Sequence, residues 1–348
     1  MNYISRRRLL QLGLLTPLVA SPFYRQSAAF AVCKDGTCCI DPECSNATKI
    51  TGSKPNGNIP GISNFIWPIA GAPNTPYEIG DAFGPRLIRG EYDWHEGIDI
   101  KANEGTDVIA SCPGFVRIAA ACDARFVNSG KIIQIQAYKY DNNNNIIQKY
   151  RVSYHHLSEL FVNPGDIITQ GTVIGKSGCT GATWPHLHLE IRKEDVPQNP
   201  YFYLACPTVG THTVAIQSVN NNTNGTLTVE LRVTSPRTKL DINRINVFAL
   251  DSNNNQIDSM YVDFNETHNC GRIIQSNINP QAINSYTYTE NIATPNRTVI
   301  ITPEDFSTTQ PNWIVTFKFN GLSSSNTTKI KAQALDCSNT IAEDIKTI

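Results

Sequence analysis

Two short segments carry most of the chemistry this chain can offer. Trp94-His95-Glu96-Gly97-Ile98-Asp99 and Pro185-His186-Leu187-His188-Leu189-Glu190 together present three good metal ligands and a spare histidine among His95, Asp99, His186 and His188. In an extended strand side chains alternate between faces, so His186 and His188 are expected to look one way and Leu187 and Leu189 the other, into a core. The same parity puts His95 and Asp99 on one side with Gly97 between them, where a missing side chain lets the backbone bend and leaves room for an ion. Two histidines and one carboxylate make a three-ligand set. A catalytic zinc uses three protein ligands at about 2.0 to 2.2 Å and keeps a fourth position for water. A lone strand histidine is commonly a satisfied core or surface residue, but here five of the seven histidines fall between residues 95 and 188, four of them in two tight pairs. That clustering points to one Zn2+ ion.

Zinc lowers the pKa of bound water from about 15.7 to about 7 and polarises a carbonyl, and both effects serve amide hydrolysis. A proton must still travel from the water to the leaving amine. Neutral imidazole, with an ordinary pKa of about 6.5, suits that transfer, and a second imidazole can stabilise the oxyanion. Tyr154-His155-His156-Leu157 supplies two more rings; on a regular strand they point to opposite faces, so only one would face the metal. His212 and His268 lie beyond this block and are expected to be ordinary surface residues.

The elements that must hold these groups read as β. Val116 to Ala120, Lys131 to Tyr140 and Ile146 to Tyr154 are rich in β-branched and aromatic residues, and Asp141-Asn142-Asn143-Asn144-Asn145 interrupts them as a hairpin turn would. Pro164-Gly165-Asp166 and the glycines at 171, 175, 178 and 181 punctuate short strands, which predicts an antiparallel sheet with an active-site groove on one face. A shift to Asn, Pro and Thr near Cys206-Pro207 marks a boundary. Beyond it, alternating stretches such as 226–233, 245–250 and 313–319 predict an immunoglobulin-like β-sandwich, so the fold class is all-β.

The order of these motifs resembles the lysostaphin and LytM-type zinc endopeptidases, which cut peptide cross-links of bacterial peptidoglycan. Phe83-Gly84-Pro85-Arg86, His95-Glu96-Gly97-Ile98-Asp99, Gly105 to Ala110, Gly114-Phe115-Val116, Tyr154-His155-His156-Leu157, Pro164-Gly165-Asp166, Gly171 to Gly175 and Pro185-His186-Leu187-His188 all fall in that family's order. The resemblance spans about residues 65 to 205. It implies that His95, Asp99 and His188 are the zinc ligands and that His156 and His186 handle the attacking water and the oxyanion; His156 is preferred to His155 because Tyr-x-His-Leu is the family's pattern. Gly181-Ala182-Thr183-Trp184 departs from the family's slightly longer, glycine-containing approach, which bears on the rim of the cleft and on substrate preference. The implied function is a secreted endopeptidase acting on peptidoglycan stems or cross-bridges. The alternatives are a non-catalytic wall-binding or regulatory protein on the same scaffold, which has no need of the whole ligand set, and an endopeptidase acting on glycine-rich proteins.

Charge and length fit this reading. With 29 Lys plus Arg against 30 Asp plus Glu the chain has no polyelectrolyte signature, so nucleic acid is not an expected partner. Ser5-Arg6-Arg7-Arg8-Leu9-Leu10-Gln11 resembles a twin-arginine export signal and precedes an apolar run to Ala20, too short for a span of about 18 or more residues. Cleavage is expected after Ala31, with Ala29 a competitor, leaving no membrane span in the mature protein and placing it in the periplasm or outside the cell. The expected division is a signal peptide over 1–31, a Cys-rich segment over 32–64, the peptidase domain over 65–206 and the sandwich over 207–348, the last binding wall polymer or a protein partner, or bracing the enzyme. All ten cysteines follow the signal, so disulfides are the default. Cys33, Cys38, Cys39 and Cys44 allow three pairings and, lacking histidine and paired C-x-x-C spacing, do not read as a second metal site. Cys112 with Cys122, Cys179 with Cys206 and Cys270 with Cys337 are the expected further bridges.

Overall fold

The computed structural model describes residues 33–34, 37–38, 52–69, 78–88, 91–120, 129–206, 211–236, 242–264, 273–275, 286–289, 297–304 and 312–348. The expected signal peptide, His268, Cys122, Cys270 and the sulfur atoms of the N-terminal cysteine cluster lie outside the described residues.

A two-strand ladder, β1 (Cys33–Lys34) with β2 (Thr37–Cys38), comes first. Next comes an eight-stranded antiparallel sheet. It is built from β3 (Ile79–Asp81), β6 (Ile98–Lys101), β8 (Gly114–Ala120), β9 (Lys131–Tyr140), β10 (Ile146–Leu157), β12 (Ile167–Ile168), β14 (His186–Lys193) and β15 (Val196–Gln198). Beside it stand a hairpin, β4 (Gly84–Ile88) with β5 (Glu91–His95), and a three-stranded sheet of β7 (Asp107–Ile109), β11 (Glu159–Leu160) and β13 (Val173–Lys176). Within the eight-stranded sheet the order is β12-β8-β9-β10-β14-β6-β3, so the histidine-bearing β14 lies centrally between β10 and β6.

Alternation divides this sheet into an apolar and a polar face. Tyr154 and Val152 of β10, Leu187, Leu189 and Ile191 of β14, and Ile98 and Ile100 of β6 are fully buried in one cluster with Trp67. Burying each such aliphatic side chain contributes about 1.5 to 3 kcal/mol, which fixes register, because a one-residue slip would expose the whole set. Cross-strand pairing then forces His155, His188 and Asp99 into one row and Ser153 and Glu190 into the next. The asparagine-rich run is a turn, as its composition predicts. Asp141 accepts hydrogen bonds from the backbone N–H groups of Asn143 and Asn145, and Asn144 adopts a left-handed φ of 65°, which asparagine tolerates. Asp251 repeats the arrangement with Asn253 and Asn255.

Residues after 210 form two further antiparallel sheets. One contains β16 (Thr213–Asn221), β17 (Thr226–Pro236), β20 (Ile273–Gln275), β21 (Tyr286–Thr289), β22 (Thr298–Pro303) and β23 (Asn312–Ser323); the other contains β18 (Ile242–Leu250), β19 (Gln256–Asp263), β24 (Lys329–Asp336) and β25 (Ile341–Thr347). Val229, Leu231, Val247, Val262, Phe317 and Ile330 belong to the core between them. The orders β16-β17-β23-β22 and β19-β18-β24-β25 reproduce the ABED and C′CFG arrangement of immunoglobulin-like sandwiches, with β21 and β20 extending the D edge. The chain is therefore all-β, and among the described residues no helix is long and apolar enough to cross a membrane.

The disulfide expectations need correction. Cys206 bonds Cys337, with Cα atoms 5.7 Å apart across 131 residues of sequence, instead of Cys179 and Cys270 taking those partners. The turn after β24 packs Cys337 against the first core, next to the segment that carries Cys206. Cys112 is a buried free thiol, so no Cys112–Cys122 staple forms. His212, expected at the surface, is buried; its Nε2 lies 2.9 Å from the Ala334 carbonyl because the start of β16 crosses β24.

Candidate metal centre

Asp99 and His188 face each other across the β6–β14 ladder, and His188 Nδ1 is 2.8 Å from Asp99 Oδ1. His95 reaches them by another route. Strand β5 ends at His95 and the chain bends through Glu96-Gly97 before β6 begins, so simple parity along one strand does not apply. Its Nε2 nevertheless lies 2.9 Å from His188 Nδ1 and 3.3 Å from Asp99 Oδ1. Gly97 makes room for the ring of His188 and the β14 backbone rather than for an ion. A Cβ there would sit 2.4 Å from the Leu189 oxygen and 2.7 Å from His188 Nε2.

Hydrogen bonds settle the tautomers of the surrounding rings. A carbonyl only accepts, so Nδ1 carries the proton in His95 (2.7 Å to Ala82 O), His186 (2.8 Å to Trp184 O) and His156 (2.9 Å to Thr180 O). In the neutral form of each ring Nε2 is then a bare lone pair. At the centre, His95 Nε2, His188 Nδ1 and an Asp99 oxygen converge within 4.8 Å of one another, all buried. With His95 Nε2 and the Asp99 carboxylate both acceptors, at most the His188 proton could separate these three lone-pair donors, and Asp99 and His95 compete for it. A cation resolves this repulsion, and two imidazole nitrogens with one carboxylate oxygen form a zinc-type donor set.

Electrostatics agree with that donor set. Burial opposes the Asp99 charge, but His95 and His186 outweigh it and hold the carboxyl well below its usual range. Burial lowers His188 to about 4 against the pull of Asp99. It lowers His156 to about 3, helped by His186 and His188. These rings are neutral at pH 7, the form in which imidazole ligates metals and accepts protons. His186 differs: burial lowers it, yet Asp99, with Oδ1 3.5 Å from His186 Nε2, brings it above the ordinary value.

The expectation that only one of His155 and His156 faces the site fails at a β-bulge. Pairing of β10 with β9 jumps from Tyr154↔Ile133 to Leu157↔Lys131, and His156 takes a left-handed φ of 63°. The extra residue turns both rings toward the cleft, with His155 4.8 Å from the His188 ring and His156 4.6 Å from the His186 ring. Three groups carried no assigned role in the sequence. Arg86 of β4 reaches Asp81 at 3.2 Å and Asp99 at 3.5 Å, although its Phe-Gly-Pro-Arg segment was a recognisable motif. Trp184 stacks on His186 with ring centres 4.1 Å apart. Arg192 bridges Glu190 and Glu96 along the floor of the cleft.

An antiparallel sheet whose polar face gathers four histidines and an aspartate around bare nitrogen lone pairs has the layout of a metal-dependent hydrolase. Residues 93–200 match the profile of Peptidase family M23. Lysostaphin of Staphylococcus simulans is 33% identical over 120 residues, covering 33% of this chain and 21% of its own length. The glycyl-glycine endopeptidase ALE-1 of Staphylococcus capitis is 30% identical over 156 residues, 42% of this chain and 38% of that protein. The peptidoglycan DD-endopeptidase ShyA of Vibrio cholerae is 31% identical over 133 residues, 36% of this chain and 27% of that protein. The chain thus spans about a fifth to two fifths of these relatives. The crystallised catalytic domain of lysostaphin is 30% identical, covers 36% of this chain and 89% of that domain, and superposes with a TM-score of 0.29.

Proposed function

We propose that this chain is an exported, zinc-dependent endopeptidase that hydrolyses peptide bonds of bacterial peptidoglycan stems or cross-bridges. The observation that carries the reading is the convergence of His95 Nε2, Asp99 and His188 Nδ1 beside the Nε2 atoms of His156 and His186. His95, Asp99 and His188 would hold one Zn2+. When bound, the ion supplies Lewis-acid polarisation of the scissile carbonyl and a more acidic water. His156 and His186 would share the proton work: one, neutral, would accept the water's proton at Nε2 and return it to the leaving amine, and the other, carrying a second proton at Nε2, would donate that N–H to the oxyanion. Backbone carbonyls of Thr180 and Trp184 fix both rings so that no tautomer change is needed before reaction. The substrate class is taken from the relatives named as lysostaphin and as peptidoglycan endopeptidases.

The same reading divides the chain into a twin-arginine signal over 1–31, a Cys-rich segment over 32–64, the peptidase over 65–206 and the sandwich over 207–348. It places the mature protein in the periplasm or outside the cell. Changing Arg6 and Arg7 to Lys should block export of a tagged chain; unaffected secretion would refute the route. Digesting purified sacculi with the zinc-loaded protein and analysing the products by mass spectrometry tests the activity, with cleaved stem or cross-bridge amides expected. Intact sacculi would favour a non-catalytic wall protein, and cleavage of glycine-rich protein alone would move the substrate.

A further inference from the structure

The C-terminal sandwich does not merely follow the metal centre in sequence; its core reaches the segment that aims His95. Ala82, whose carbonyl accepts the His95 Nδ1 proton, packs against the sandwich core. Two residues on, an added Cβ at Gly84 would meet Phe264 of that core at 3.8 Å. Trp313 of β23 is buried and donates its indole N–H to the Pro85 carbonyl at 3.3 Å. Pro85 is the second residue of the hairpin whose register pairs Gly84 with His95, and the residue after it, Arg86, reaches Asp99. Among the described residues the β4–β5 hairpin forms a two-stranded sheet of its own and shares no ladder with the eight-stranded sheet. A two-stranded hairpin is marginally stable alone, so its position depends on what packs against it.

Resting on the reading of His95 and Asp99 as ligands, we infer that Trp313 and Phe264 are positioning residues for the metal centre, acting through Ala82, Pro85 and Arg86. The sandwich is an outer shell of the site. Metal-bound histidines depend on the group that accepts their second N–H, and loss of such a partner typically costs about 10- to 100-fold in metal affinity. Releasing the arm, residues 82–95, from Trp313 should act on the metal through the Ala82 carbonyl that holds His95 Nδ1.

The test uses the full-length protein, with Zn2+ affinity measured by competition with a chromophoric chelator and hydrogen exchange measured on peptides covering residues 82–99. Trp313→Ala and Phe264→Ala should each weaken zinc at least about tenfold and speed exchange in that peptide. Trp313→Phe keeps the ring without the N–H and should fall between wild type and Trp313→Ala. Ile330→Ala, a truncation in the opposite sheet of the same core, controls for loss of sandwich stability; it should lower the melting temperature while leaving zinc affinity and exchange of the arm unchanged. Wild-type affinity and exchange in folded Trp313→Ala would overturn the inference, as would an equal effect from Ile330→Ala. If the wild type bound no zinc, or His95→Ala kept it, the ligand reading itself would fall, whereas loss in His95→Ala with none in Trp313→Ala would sink the positioning role alone.

Discussion

The two halves of the metal centre are held by different means. Asp99 and His188 stand on adjacent strands of one sheet, anchored from behind by Ile98, Ile100, Leu187 and Leu189, all fully buried. His95 stands at the end of a separate hairpin that is held in part by Trp313 of the sandwich. The sheet half is specified by local alternation, since burying every second residue of β14 leaves His186 and His188 nowhere else to point. The arm half is specified by tertiary contact. A zinc site needs both, because three ligands must meet within the small space one ion can bridge.

The largest effects should come from removing one ligand in each half. His188→Ala and His95→Ala should both lose stoichiometric zinc after dialysis against a weak chelator and fall to background activity, and Asp99→Ala should match them. Metal analysis alongside sacculus digestion decides the matter. Retention of zinc by His95→Ala alone would break the comparison by showing that the sheet half suffices.

Next in size are the rings that contact the centre without ligating it. His156→Ala and His186→Ala should retain zinc yet lose about a hundredfold or more in turnover, the usual scale for a missing acid–base or oxyanion group. Near-normal turnover in either variant, on the same wall substrate, removes that residue from the mechanism.

This contrast also explains how much the sequence disclosed. The spacing of His186 and His188 on β14, the strand Lys131–Tyr140 and the Asp141 turn follow local rules, and each stands in the fold where alternation and turn chemistry put it. His155 and His156 do not follow alternation, because a bulge is a choice made by the pairing of β10 with β9 and leaves no pattern of its own in β10. Cys206–Cys337 was equally illegible: its partners are brought together by the packing of the sandwich turn on the first core, across 131 residues. Arg86 sat in a visible motif, but its partner Asp81 belongs to a strand of three residues with no chemical signature.

The seam between the halves can be tested at Gly97. Alanine there places a Cβ 2.4 Å from a β14 carbonyl oxygen and 2.7 Å from the His188 ring, and backbone cannot swing aside as a side chain can. Overpacking of this kind costs about 1 to 3 kcal/mol. Gly97→Ala should therefore lower the melting temperature and weaken zinc about tenfold, with a smaller loss of turnover than His186→Ala once zinc is saturating. A variant of wild-type stability and zinc affinity would mean that β6 and β14 have slack between them, contrary to a rigid sheet half.

The smallest expected effect belongs to Trp184, which sharpens the comparison within the sheet half itself. Its ring is stacked on His186 at 4.1 Å and lies over Gly80, where a Cβ would come within 2.4 Å of the indole. Its carbonyl holds the His186 Nδ1 proton, and substitution leaves that backbone contact in place. The ring therefore adds stacking without changing the tautomer, and aromatic stacking beyond plain burial is worth about 0.5 to 1.5 kcal/mol, or about 2- to 12-fold in rate. Trp184→Ala should lower turnover by a factor in that range with zinc content unchanged, and Trp184→Phe should recover most of it. Steady-state kinetics on a defined cross-bridge peptide separates two roles for the ring: a fall in kcat places it behind His186, whereas a rise in KM with kcat unchanged makes it a wall of the substrate cleft. Unchanged kinetics in Trp184→Ala would mean that the carbonyl alone orients His186.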